Sequence, residues 1–172
     1  MEELKLVKID IDYCNYLRKF DKKIVYNSEN KKNRPFLGIL FNIDYIMYFA
    51  PLSSPKEKHF KMHDNIDFLK IDGGKLGVVN LNLMIPVEYD NIEIINLSNK
   101  YANKKYINLL NKQSYWINRH KNRLFSKAYK LYKDYYNDKL NFLIKERCCN
   151  YPLLEEKCFE YNNGFLKCWN NN

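Results

Sequence analysis

The chain has 172 residues, 46% of them hydrophobic, which is the length of one domain built on one sizeable core. Lys and Arg number 29 against 20 Asp and Glu, for a net charge of +9, and 15 Tyr and 10 Phe are interleaved with the basic residues. Such a surface attracts polyanions, and it favours RNA or DNA over a membrane because aromatic rings also give bases a stacking platform, although an AT-rich genome alone biases a protein toward Lys, Asn and Tyr.

The first residues, MEELKLVKID, carry acidic charge and no apolar stretch long enough for a signal peptide, and no later run approaches a membrane span. A cytoplasmic protein with no membrane partner is expected. Within that opening, Leu4, Leu6, Val7 and Ile9 read as a short strand. Tyr13, Tyr16, Leu17 and Phe20 then recur at i, i+3, i+4 and i+7, one face of a helix with Asp12 available as its cap. NSENKKNRP, Asn27 to Pro35, is polar, basic and proline-ended, so it is predicted to be a loop that reaches over a bound polyanion through Lys31, Lys32 and Arg34, the last with a planar guanidinium suited to bidentate phosphate contact.

Two strands follow, FLGILFNI and YIMYFAPL, either side of a tight turn near Asn42 and Asp44; their continuous apolar runs predict burial on both faces. NIDFLKI and LGVVNLNLMIPV form a second predicted strand pair, joined by a Gly-Gly turn that permits positive φ, and NIEIINL closes the sheet region. After Ser98 the period changes to that of helices. Tyr106, Leu109, Leu110, Gln113, Trp116 and Ile117 mark one, and Leu124, Ala128, Leu131, Tyr132 and Tyr135 a second, whose opposite face carries Lys127, Lys130, Lys133 and Asp134 toward solvent. Past NYPLLEEK the chain is read as a polar tail from about residue 162. Strands followed by helices make an α+β fold, a strongly bent antiparallel sheet with surrounding helices, in a single domain over residues 1–172.

Five cysteines, two of them adjacent at Cys148 and Cys149, show neither C-x-x-C spacing nor a zinc ligand set, which predicts reduced, mostly buried thiols and no structural metal.

The corner YFAPLSSPKEKH, Tyr48 to His59, has two readings. As backbone it is a turn in which a serine caps and Pro55 stiffens the chain. As chemistry it brings two hydroxyls and an ammonium, Ser53, Ser54 and Lys56, to the end of a buried strand, with Lys58, His59, Lys61 and His63 just beyond; phosphate contacts need such donors, and phosphoryl chemistry needs them on a rigid element. Imidazole titrates near neutrality, so His59 competes for a catalytic role, though a histidine beside a basic loop is more often structural. Gln113, polar on an apolar helical face, reads first as core support and second as an RNA contact.

RPFLGILF, YFAPLSSPKEKH, LGVVNLNLMIPV, LLNKQSYWI followed by KAYKLY, and NYPLLEEK, in that order from about Ile9 to Lys157, together resemble the ToxN/AbiQ family of endoribonuclease toxins of type III toxin–antitoxin systems, and look closest to its AbiQ and CptN type. The resemblance implies a compact fold like the Kid and MazF toxins. It implies RNA cleavage without metal or other cofactor, on cellular or phage RNA and on A-rich targets in relatives. It also implies inhibition by a small non-coding RNA transcribed from tandem repeats, a closed assembly of alternating toxin and RNA, and release of the toxin on phage infection.

By the same resemblance the family's Thr/Ser-Ser-Pro-Lys segment falls on Ser53, Ser54, Pro55 and Lys56, with Ser53 keeping the hydroxyl of the commoner threonine. An active-site tyrosine of the family, in a Tyr-x-x-Tyr-Leu-x-x-Phe-Asp context, falls on Tyr13, and a histidine at the spacing of His59 also occurs in relatives. Two other functions on the same fold stay open at this level: an RNA-binding module without activity, and a toxin that poisons a protein such as gyrase.

Overall fold

The computed structural model describes residues 3–25, 35–38, 41–43, 46–99 and 103–169, with the side chains of Ile43 and of residues 164–169 outside that description. The strands are β1 (Lys5–Ile9), β2 (Phe36–Gly38), β3 (Asn42–Ile43), β4 (Ile46–Ser53), β5 (Leu69–Lys70), β6 (Val78–Val79), β7 (Ile85–Val87) and β8 (Ile92–Ile94). The helices are α1 (Ile11–Arg18), α2 (Glu57–Lys61), α3 (Lys104–Arg119), α4 (Lys121–Tyr136), α5 (Phe142–Arg147) and α6 (Tyr151–Trp169). Every strand pairing is antiparallel, and the sheet runs β5-β6-β4-β2-β1-β8 with β3 and β7 also paired to β4.

β4 is the hub. Met47 stands opposite Asn42 of β3 and Val87 of β7, whereas Ala50 and Pro51 stand opposite β2 and Leu52 and Ser53 opposite β6. The strand therefore changes partners half-way along, which is how a sheet turns a corner. Pro51 falls at that changeover, between the last residue paired to β7 and the first paired to β6, so its missing N–H interrupts neither ladder. Tyr48, Phe49 and Ala50 are fully buried, as a run without polar alternation requires.

The segment LGVVNLNLMIPV is two strands, β6 and β7, divided by a 3-10 turn at Leu81–Leu83. Its two asparagines divide it. Asn80 turns its backbone N–H and its amide onto the Pro51 carbonyl, both at 3.0 Å, while the Asn82 backbone donates to the Asp67 carbonyl and accepts from the Cys149 N–H, each at 2.8 Å. The expected Gly-Gly hairpin is present as β5 and β6, with Asp72–Gly74 forming a 3-10 turn between them.

α1 is capped by Asp10, whose carboxylate accepts from the Tyr13 N–H at 2.8 Å; Asp12 lies within the first turn, where its charge suits the helix N-terminus without capping it. α3 buries Leu110, Gln113 and Ile117, and α4 buries Leu124, Ala128 and Leu131, the faces expected from their spacing. On the opposite face Lys130 pairs with Asp134 at 2.7 Å, but Lys127 is half-buried with its ammonium 5.7 Å from the centre of the Phe68 ring.

The expected polar tail is instead the end of a helix: α6 continues to Trp169 and buries Tyr151, Leu154 and Cys158 at i, i+3 and i+7. The carboxylate of Glu155 on this helix accepts hydroxyl hydrogens from Tyr48, Tyr132 and Tyr136, tying β4, α4 and α6 together. Hydrogen bonds to a charged group contribute about 1.5–3 kcal/mol each, so this junction is a substantial part of the fold's stability. Cys14, Cys148, Cys149 and Cys158 are free and buried, and burial pushes the thiol of Cys14 up to about 12 and those of Cys148 and Cys158 to about 11. No described helix is long and apolar enough to cross a membrane.

Candidate active site

The corner after β4 is where rigid core meets solvent. Ser53, the last strand residue, is half-buried; Ser54, Pro55, Lys56 and Lys58 are exposed. Lys56 takes the N-cap position of α2 in extended conformation, and its carbonyl receives the His59 N–H at 2.9 Å. Among the described residues, the Ser54 hydroxyl and the Lys56 and Lys58 ammoniums have no hydrogen-bond or ion-pair partner, whereas Lys61 pairs with Glu57 at 3.0 Å along the helix surface. The Ser54 hydroxyl and an unpaired ammonium thus stand beside Ser53 at the end of a buried strand, free to meet an anion.

Three neighbours hold the corner in place. Gly77, at φ +97, lies so close to Ser53 that a Cβ there would be 1.9 Å from the Ser53 carbonyl oxygen. Gly74, at φ +99, packs in the same way on the carbonyl of His59, where a Cβ would come within 2.9 Å. Asn80 donates its side-chain amide to the Ser53 hydroxyl oxygen at 2.9 Å. From sequence Gly74 reads as part of a Gly-Gly turn, while Gly77 and Asn80 fall inside LGVVNLNLMIPV, a segment read as strand. The available signal was the third glycine, Gly77, standing immediately before a strand.

His59 lies beneath the corner and not on it. It is 2% exposed, and its Nδ1 has no partner among the described residues. Burial, reinforced by the ammoniums of Lys58, Lys56 and Lys70, holds its pKa below the ordinary imidazole value. Its ring is therefore a neutral support for α2. Gln113 is likewise a core residue: it is 1% exposed and donates to the Leu76 carbonyl at 2.7 Å, securing the loop that presses Gly77 on Ser53.

Tyr13 is not brought to the corner. It is fully buried, its hydroxyl donates to the Pro86 carbonyl at 2.7 Å, and its ring meets Tyr161 edge-on at 5.0 Å. Pro86 is paired with Tyr48, and Ser53 lies roughly 16 Å further along β4 at about 3.3 Å per residue. In the Tyr-x-x-Tyr-Leu context of α1, Tyr13 and Leu17 are buried and Tyr16 is half-buried. Tyr48 is equally enclosed, with its hydroxyl on Glu155. Lys31, Lys32 and Arg34 lie outside the described residues.

Residues 5–158 match the family model described as toxin ToxN, type III toxin–antitoxin system. The endoribonuclease ToxN of Bacillus thuringiensis subsp. kurstaki is 35% identical over 163 residues, covering 91% of this chain and 84% of the relative. The endoribonuclease AbiQ of Lactococcus lactis subsp. lactis is 26% identical over 169 residues, 92% of this chain and 90% of the relative, so the nearness to AbiQ expected from the short motifs is not reflected in overall identity. A solved structure of a type III toxin selectively inhibited by a non-coding RNA pseudoknot superposes with a TM-score of 0.80 at 31% identity, covering 94% of this chain and 99% of that one.

Proposed function

Given that the chain belongs to the ToxN family of toxins of type III toxin–antitoxin systems, we propose that it is an endoribonuclease whose active site is the Ser53–Ser54–Lys56 corner. The observation that carries this reading is the unpaired ammonium of Lys56 beside two hydroxyls at the end of a strand that the core fixes on both faces. The ribose 2′-hydroxyl passes its proton to solvent as its oxygen attacks the adjacent phosphorus, the bond to the 5′-oxygen breaks, and the products are a 2′,3′-cyclic phosphate and a 5′-hydroxyl. Lys56 neutralises the charge of the phosphorane and delivers a proton to the departing 5′-oxygen. Ser53 and Ser54 donate hydrogen bonds to the non-bridging oxygens. The corner carries its own cation in Lys56, so the reaction runs without metal.

The inhibitor in this reading is a small structured RNA from tandem repeats, by analogy with the pseudoknot of the solved relative. The net charge of +9 supports it, and the proposed phosphate contacts are Lys58 and Lys61 of α2 together with Lys31, Lys32 and Arg34 of the basic sequence segment before β2. Incubating purified protein with total RNA in excess EDTA and mapping the new ends tests the reading: cyclic phosphate and 5′-hydroxyl ends are expected. Intact RNA that the protein still binds would make it a binding module, and intact RNA without binding would direct attention to a protein target.

A further inference from the structure

Asn80 lies outside the serine and lysine segment, yet its amide is the one side chain among the described residues that bonds the Ser53 hydroxyl. The chemistry of its other partner fixes which way that amide points. The Pro51 carbonyl can only accept, so the Asn80 nitrogen, and not its oxygen, must face it at 3.0 Å. The same nitrogen then has one hydrogen left for Ser53 Oγ at 2.9 Å. A hydroxyl that accepts from an N–H must send its own hydrogen elsewhere. Ser53 is half-buried at the solvent end of β4, and no described acceptor takes that hydrogen.

We infer that Asn80 is a positioning residue that fixes Ser53 as a hydrogen-bond donor toward an RNA phosphate. The inference rests on the proposed active site and deepens it. Pro51 is central to the device: it lies between the last β4 residue paired to β7 and the first paired to β6, and Asn80 clamps its carbonyl twice, by backbone and by side chain. The donor is thereby oriented before substrate arrives, so no hydroxyl rotation has to be frozen out as charge develops on the phosphorane.

A double-mutant cycle on a labelled oligoribonucleotide carrying a cleavage site mapped on total RNA tests this, using Ser53→Ala, Asn80→Ala and the double variant, with thermal unfolding of each. Asn80→Ala should lower kcat about 10-fold with little change in KM, less than the roughly 10²–10³ lost with a direct oxyanion donor. In the Ser53→Ala background the same change should cost less than about 2-fold, since there is no hydroxyl left to orient. Asn80→Asp, close in shape, should also lose activity, because its carboxylate accepts the Ser53 hydrogen. Ser53→Thr should keep both the activity and the coupling. Equal losses from Asn80→Ala with and without the Ser53 hydroxyl, or an active Asn80→Asp, would overturn the inference and leave the proposed site standing. Full activity of Ser53→Ala would instead remove Ser53 from the site and the inference with it. If Asn80→Ala is unfolded, Asn80→Asp, measured against Ser53→Ala, gives the same decision.

Discussion

Gly77 touches Ser53 backbone to backbone, and no side chain fits between them: a Cβ on Gly77 would sit 1.9 Å from the Ser53 carbonyl oxygen, in a residue already at φ +97. The corner that carries the serines therefore depends on a glycine 24 positions away, which in turn hangs on Leu76 and its bond from Gln113.

Gly77→Ala should be severely destabilising, by about 3 kcal/mol or more, because it combines a left-handed backbone with a clash against backbone that cannot rotate away. Gly73→Ala is the control. Gly73 also has positive φ, +63, but nothing lies within 4 Å of a Cβ there, so only the conformational cost of about 1–2 kcal/mol applies and cleavage should survive. Thermal melts and cleavage assays on the pair check this; equal melting temperatures would show that the corner tolerates displacement.

Tyr13→Phe removes the hydroxyl that bonds the Pro86 carbonyl and leaves that buried oxygen unpaired, at a cost of about 1–3 kcal/mol. Cleavage by the folded variant should equal wild type. A folded Tyr13→Phe with a 100-fold lower rate would return Tyr13 to the chemistry.

His59 makes a prediction in pH. Its folded pKa is held below the ordinary 6.5, first by burial and then by Lys58, Lys56 and Lys70. As pH falls through that value the unfolded chain takes up a proton that the folded chain refuses, so stability is full above about 6.5, declines below it, and stops declining once pH passes the folded pKa. Denaturant unfolding should show wild type losing more stability between about pH 7.5 and 5.5 than His59→Gln does. Equal losses in the two proteins would contradict a buried neutral imidazole.

The sequence carried the parts of this fold that rest on period and run length. YIMYFAPL announced a two-faced buried strand because no polar residue interrupts it, and α3 and α4 announced their buried stripes at helical spacing. α6 was missed past residue 162 because its asparagines read as tail, while the helix is anchored earlier, by Tyr151, Leu154 and Cys158. Asp10 and Asp12 are equivalent as letters, and only the backbone path decides that Asp10 reaches the Tyr13 N–H. In the candidate site, Ser53, Ser54 and Lys56 were legible because they are contiguous. Asn80 and Gly77 were not, because their roles come from the pairing of β4 with β6, a contact between segments distant in sequence. Tyr13 illustrates the opposite case, in which a helical pattern of tyrosines shows which side chains pack inward.

The account stands most directly on Lys56, exposed and unpaired at the start of α2. The decisive measurement is the cleavage rate of Lys56→Ala on an oligoribonucleotide that the wild type cuts, taken with its melting temperature and its affinity for a repeat-derived RNA. The account predicts a folded protein that still binds that RNA through its other basic residues and cleaves on the order of 10²–10³ more slowly. A folded Lys56→Ala protein that cleaves at the wild-type rate would contradict it.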